Sequence, residues 1–304
     1  MAIHSPYAAL LERIPVESHE IFVLGSTTRY WVYGPADAET TVVIAHGYRG
    51  EHHGFEPVIA QLPHIRWIGA DMPGFGESTP LTEAPHSIAG YADWLIAFID
   101  ALGLTGTALT LGHSFGSIIA SNAIVKGLQT PALILVNPIS TSGLAGSKAF
   151  ATKLTVWFYR LAQRLPNAFG SRMLRSWLIV QFMSSTLAKT TDKSLRRWIH
   201  NEHHTYFNRF ASRDVVVEAF EASIAHDVSD FSAGLTVPTL LIAAELDDIT
   251  PVAAHFEMIK TMPDATLKVL DGVGHLIHYE VPERAGRAIA DWIEERGFDT
   301  AKLT

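Results

Sequence analysis

A serine at position 114 sits between Gly112 and Gly116 in the stretch "LTLGHSFGSIIASNAIV" (109–125). An apolar run with β-branched residues stops at the first glycine, and small and apolar helix formers follow the second. A G-x-S-x-G pattern at such a junction is built to present the hydroxyl. The glycines let strand and helix approach closely around a strained serine backbone, and the helix start adds N–H donors. The plain alternative is a tight turn with an incidental hydroxyl, and the strand before and helix after argue against it.

A serine hydroxyl is a weak nucleophile that needs a base, and the base needs a third group to orient it. His275 lies in "VLDGVGHLIHYEVPE", in a loop after two glycines. His278 is its rival, but it falls where the final helix approaches and reads as a packing or pocket residue. For the acid, "LLIAAELDDITP" offers Asp247, with Asp248 and Glu245 as competitors. Asp248 could cap a helix starting near Pro251, although Thr250 is better placed for that. Asp247, three residues past the small residue that ends the strand, is the expected acid. A developing oxyanion needs donors: the N–H of Phe115, after the serine, and the N–H of Tyr48 in "HGYRG", with the Tyr48 side chain toward the pocket mouth.

Other polar residues carry blander readings. His46 and His113 flank turns and hold loop backbone, Asp71 anchors the "DMPGFGES" turn, and His52 and His53 belong to the surface or a pocket rim. In "HNEHH", His200, His203 and His204 share one helical face, but no glutamate directly follows the first histidine as H-E-x-x-H requires. They read as a polar face or pocket lining. No metal and no cofactor is expected.

These residues need a scaffold. "HEIFVLGSTTRYWVYGP" reads as a hairpin around Gly25-Ser26. Strand-like runs at "TTVVIAHG", "RWIGADMPGFGES", "ALTLGHS", "PALILVNP", "VPTLLIAAEL" and "ATLKVLDG" alternate with helical patterns, two of them ending at Gly103 and Gly127. Strand–helix alternation implies a mostly parallel central sheet with helices on both faces. From about 139 to 233 the patterns are helical only. The expected organisation is an α/β core of 1–138 and 233–304, with an inserted all-helical cap of 139–232 over one end of the sheet. Ser114 then falls at the carboxyl edge, where such sheets hold ligands.

The 304 residues suffice for a large core, and nearly half are hydrophobic. With no cysteine, disulfides, thiolate metal sites and a cysteine nucleophile are excluded, and the chain suits a reducing compartment. The first residues lack the pattern of a signal peptide, so a cytoplasmic location is expected. Net charge is −8 but uneven. Positions 140–210 hold eleven Lys/Arg against Asp192 and Glu202, a net of +9, which leaves −17 on the remainder. The acidic remainder disfavours nucleic acid. A basic lobe could favour an anionic small molecule or, as the weaker reading, an anionic membrane surface.

"HGYRG", "DMPGFGES", "GHSFG", "AAELDDITP" and "GVGHLIHYEVPE", in this order and spacing, resemble the α/β-hydrolase fold superfamily, in the branch with a helical cap. The resemblance covers about 20–138 and 233–298. It implies Ser114, Asp247 and His275 as a triad acting on a carboxylic ester or thioester of a mainly apolar acyl group through an acyl-enzyme. Carbon–carbon bond hydrolysis of vinylogous diketones and cofactor-free perhydrolysis use the same triad and stay open, as does a ligand-binding protein that kept the fold. Haloalkane dehalogenase and epoxide hydrolase readings need an aspartate where Ser114 stands. Ser117 and Ala244 occupy positions where glycine is commoner, and Ser117 is expected to alter packing beneath the turn.

Overall fold

The computed structural model describes residues 3–141 and 149–298. Its strands are β1 (Val16–Val23), β2 (Ser26–Tyr33), β3 (Thr41–Ala45), β4 (Arg66–Ala70), β5 (Leu109–His113), β6 (Leu133–Val136), β7 (Thr239–Ala244) and β8 (Ala265–Leu270). They form one sheet in the order β1-β2-β4-β3-β5-β6-β7-β8. The β1–β2 and β2–β4 pairs are antiparallel and the rest are parallel. The hairpin turn sits one residue earlier than the sequence suggested. Leu24 and Gly25 both have positive φ, 45° and 75°, and Ser26 already pairs with Val23. Two left-handed residues match the twist of the flanking strands.

Side-chain alternation divides the core. Val43 and Ala45 face one side, with Tyr91, Trp94 and Phe98 of α3 (Ile88–Ala101) and Ile118 of α4 (Phe115–Val125). Val42 and Ile44 face the other, with Ile289, Trp292 and Ile293 of α12 (Pro282–Glu295). Each fully buried aliphatic of this kind contributes about 1.5–3 kcal/mol. The start of α3 is fixed by Ser87, whose hydroxyl accepts from the Gly90 N–H at 3.1 Å. Short turns α1 (Ala8–Leu11), α2 (Glu56–Ile59) and α11 (Ile277–Glu280), and the helix α10 (Val252–Met258), fill the remaining connections.

Between β6 and β7 lie α5 (Ala149–Arg164), α6 (Asn167–Leu174), α7 (Trp177–Leu187), α8 (Lys193–Tyr206) and α9 (Arg213–Ala225). They pack on loops at the carboxyl ends of the strands. Gly76 N–H donates to Arg209 C=O at 2.8 Å, Ala211 N–H to Gly74 C=O at 2.9 Å, and Lys189 N–H to Glu280 Oε1 at 2.8 Å. The two ends of this helical segment also meet. Val228 N–H donates to Ile139 C=O at 2.7 Å, and the Ser229 hydroxyl to Ser140 C=O at 2.7 Å.

Candidate active site

At the end of β5 the backbone of Ser114 takes φ 51° and ψ −114°. This is a left-handed conformation that a non-glycine residue holds only under external constraint. The constraint is close packing on both sides. A Cβ on Gly116 would stand 2.0 Å from Ala45 C=O, and one on Gly112 would stand 2.5 Å from Gly116 C=O. Ser117 adds a tie that its identity alone did not reveal. Fully buried, it donates to Ser114 C=O at 2.5 Å and accepts from Ile139 N–H at 3.2 Å. Where glycine is commoner, this hydroxyl joins the serine turn to the loop after β6.

The half-buried Ser114 lies 2.8 Å, Oγ to Nε2, from His275. His275 Nδ1 lies 2.8 Å from Asp247 Oδ2. Asp247 Oδ1 accepts from the N–H groups of Ile249 at 2.7 Å and Thr250 at 3.3 Å. Burial pushes the Asp247 carboxyl up, but attraction and hydrogen bonding from His275 and the two N–H bonds outweigh it, and the group sits below its ordinary range. The acceptor-only carboxylate leaves Nδ1 as the protonated nitrogen and turns Nε2 toward the hydroxyl.

The rival residues are engaged elsewhere. Asp248 pairs with Lys189 Nζ, and Glu245 Oε2 accepts from Gly272 N–H at 2.8 Å. His278 is buried against Phe55 and His113, and burial drives its pKa well below the ordinary value. One supporting residue escaped the sequence reading. Asn137, at the end of β6 with φ 45°, donates Nδ2–H to Asp247 Oδ2 at 3.2 Å. Its signal was the Asn-Pro pair closing "LILVNP".

The loop after β3 folds as a turn, with Gly50 N–H donating to Gly47 C=O at 2.9 Å. Arg49 in that turn has φ 59° and is almost fully buried. Its guanidinium donates to Phe207 C=O, Leu174 C=O and Asn208 Oδ1 at 2.9, 3.0 and 2.9 Å. The turn carrying the Tyr48 N–H is thereby tied to the helical segment. No hydrogen bond from the N–H of Tyr48 or Phe115 is found among the described residues. The Tyr48 side chain turns inward rather than to a pocket mouth. Its hydroxyl donates to Val216 C=O in α9 at 2.8 Å, and its ring packs edge-on to Phe75, Phe115 and Tyr159.

His46 holds backbone as expected, donating from Nδ1 to Gly47 C=O and accepting Met72 N–H at Nε2, both at 2.8 Å. Asp71 does anchor its turn, accepting Glu77 N–H at 2.8 Å. It also bonds His52, which is buried rather than at the surface, at 2.8 Å. His200 and His203 both bond Ser184 of α7 at 2.6 Å, and His204 bonds Gln181 at 2.8 Å, so this face joins two helices.

Ligand atoms of Glu51, His52 and His53 lie within 4.8 Å of one another, the spacing of a metal site. Several of their polar groups already have protein partners, while the buried Glu51 Oε2 has no hydrogen-bond partner among the described residues. His53 Nδ1 bonds Glu51 at 2.6 Å, Asp71 holds His52, and Arg209 stands 3.7 Å from Glu51. Nearby, burial pushes the Glu202 carboxyl up to about 7, with His53 pulling it down and Glu56 and Glu51 pushing it further up.

Residues 40–282 match the model of the alpha/beta hydrolase fold family. The chain belongs to that family. It is a hydrolase, an enzyme class its relatives share. It is 23% identical over 273 residues to an (E)-2-((N-methylformamido)methylene)succinate hydrolase of Acinetobacter baylyi, covering 88% of this chain and 94% of the other. It is 22% identical to a 2-hydroxy-6-oxononadienedioate/2-hydroxy-6-oxononatrienedioate hydrolase of Dechloromonas aromatica, covering 83% of this chain and 86% of the other. Among solved structures it resembles a thermophilic esterase from Thermogutta terrifontis, with TM-score 0.70 and 22% identity over 92% of this chain and 98% of that one. No helix among the described residues is long and apolar enough to cross a membrane.

Proposed function

We propose that the protein is a serine hydrolase that cleaves a carboxylic ester or thioester with a mainly apolar acyl group. The observation that carries this reading is the pair of 2.8 Å contacts from Ser114 through His275 to Asp247. His275 Nε2 takes the Ser114 proton as Oγ attacks the carbonyl carbon. Asp247 fixes the tautomer and stabilises the imidazolium. The N–H groups of Tyr48 and Phe115 receive the oxyanion, and Asn137 positions Asp247. The imidazolium then protonates the leaving alcohol or thiol, and the carbonyl re-forms as the acyl-enzyme. Water, deprotonated by His275, attacks the acyl carbon and releases the acid and the Ser114 hydroxyl. No metal or cofactor enters these steps. In this reading 139–232 is a cap that selects the substrate.

A second reading is supported by the two relatives whose names specify acidic substrates, one of them a dienedioate. It is hydrolysis of a carbon–carbon bond in an anionic vinylogous diketone by the same residues. The deciding experiment is labelling with a fluorophosphonate, followed by rates on p-nitrophenyl esters of increasing acyl length beside a vinylogous diketone. Labelling that vanishes in Ser114→Ala, with faster turnover of esters, supports the first reading. Turnover of the diketone alone supports the second, and an unlabelled wild type sinks both in favour of a ligand-binding protein.

A further inference from the structure

Three of the four most exposed large apolar side chains among the described residues are Phe182 at 71%, Leu178 at 70% and Phe169 at 68%. They stand on the successive helices α6 and α7. The helix α7, "WLIVQFMSSTL", contains no charged residue. Its orientation is fixed from within. Val180 and Ser184 face inward, and Ser184 is held by His200 and His203 of α8. Leu178 and Phe182, one turn apart, must therefore face outward, with the exposed Trp177 beside them. An apolar helix face turned to water in this way marks an interaction surface.

What surrounds the face selects the partner. Arg172 and Arg175 precede α7 and Lys189 follows it, Arg175 also donating to Phe210 C=O at 2.8 Å and Lys189 pairing with Asp248. Within 140–210 only two acids accompany eleven bases. Apolar and aromatic side chains flanked by cations fit the boundary between headgroups and acyl chains of an anionic bilayer. A second copy using the same face would bring two basic surfaces together. The whole helical segment 139–232 holds twelve Lys/Arg against seven acids, a net of +5, and the remainder carries −13, so an anionic surface favours approach by the helical segment over approach by the core.

We propose that the outward face of α7, with the basic residues at its two ends, docks the protein on an anionic lipid surface. This surface is separate from the triad; the flotation readout below does not depend on the ester reading, and the labelling control rests only on a reactive Ser114.

The test is flotation of the full chain with vesicles of ether-linked phosphatidylcholine, with and without ether-linked phosphatidylglycerol, which have no carboxylic ester to hydrolyse. The wild type is expected to float with the anionic vesicles and to be partly released by high salt. Leu178→Asp with Phe182→Asp should lower partition by at least about tenfold while fluorophosphonate labelling of Ser114 is unchanged. If that variant loses labelling, Phe182→Ser decides, with partition several-fold lower and labelling intact. A wild type that stays with the soluble fraction overturns the proposal, as do folded variants that float like it. So does a dimer, dissolved by the same substitutions, in place of flotation.

Discussion

The hydroxyl of Ser117 donates to the backbone carbonyl of Ser114 and accepts the N–H of Ile139. One buried side chain thus joins the strained serine turn to the loop after β6. Ser117→Ala removes both bonds and leaves the Ile139 N–H without its acceptor. The expected loss is about 1–3 kcal/mol of stability, read as a lower Tm. Ester turnover should fall as well, because the Ser114 backbone is less firmly held. A variant with wild-type Tm and kcat would show that the tie is idle.

Asp247 and Asp248 are neighbours with opposite expected consequences. Asp247→Asn disturbs the tautomer of His275, and kcat should fall by about 10⁴-fold with the fold intact. Asp248→Asn breaks a partly exposed pair with Lys189, and kcat should stay within a few-fold of wild type. Steady-state rates on one p-nitrophenyl ester decide it, and the reverse ranking would assign the acid to Asp248.

Acidification should destabilise the protein through its buried histidines. Burial lowers the pKa of His46 and His255 to about 4 and of His113 and His203 to about 3. The unfolded chain takes up these protons near pH 6.5, and the folded chain takes them up only at its lower values. The histidine contribution to stability is therefore complete above about 6.5 and lost as pH falls toward 4. Each histidine costs about 1.4 kcal/mol per pH unit in that window. Tm measured against pH should drop there, and His255→Asn should make the drop shallower. An unchanged slope in that variant would remove His255 from the account.

Glu202 works in the opposite direction. Its carboxyl is pushed up to about 7, chiefly by burial, with Glu56 and Glu51 nearby. Folding favours its protonated form, so stability is lost as pH rises from about 4.3 toward 7. Glu202→Gln should raise Tm at pH 8 and leave it nearly unchanged at pH 4. Differential scanning at the two values checks the sign.

Arg49 should be irreplaceable by lysine. Its guanidinium meets three separate acceptors, on Leu174, Phe207 and Asn208, from one planar group. An ammonium cannot match that fork. Arg49→Lys should lower Tm, and it should lower kcat too, since the same turn carries the Tyr48 N–H. Unaltered kcat with a lowered Tm would confine Arg49 to fastening the helices.

What could be read in advance follows from the range of the forces involved. Strand alternation, the glycines around Ser114 and the helix stops are local, and period and turn chemistry expose them. The proposed triad could be anticipated because each member follows a recognisable strand. The roles of Asn137, Ser117 and Arg49 could not. Each depends on which distant backbone its side chain meets, and a single serine, asparagine or arginine carries no such address. His52 was misread for the same reason, since its burial comes from Asp71 and from Trp31 stacked 3.3 Å away.

The joined ends of the helical segment, Val228 to Ile139 and Ser229 to Ser140, have one further consequence. β6 and β7 pair directly, Val136 beside Ile242, although a third of the chain passes between them. Everything from α5 to α9 therefore leaves and re-enters the sheet at a single stalk. An exchange of that segment would need only one splice in the sheet, but it would also have to restore the acceptors on Leu174, Phe207 and Asn208 that hold Arg49.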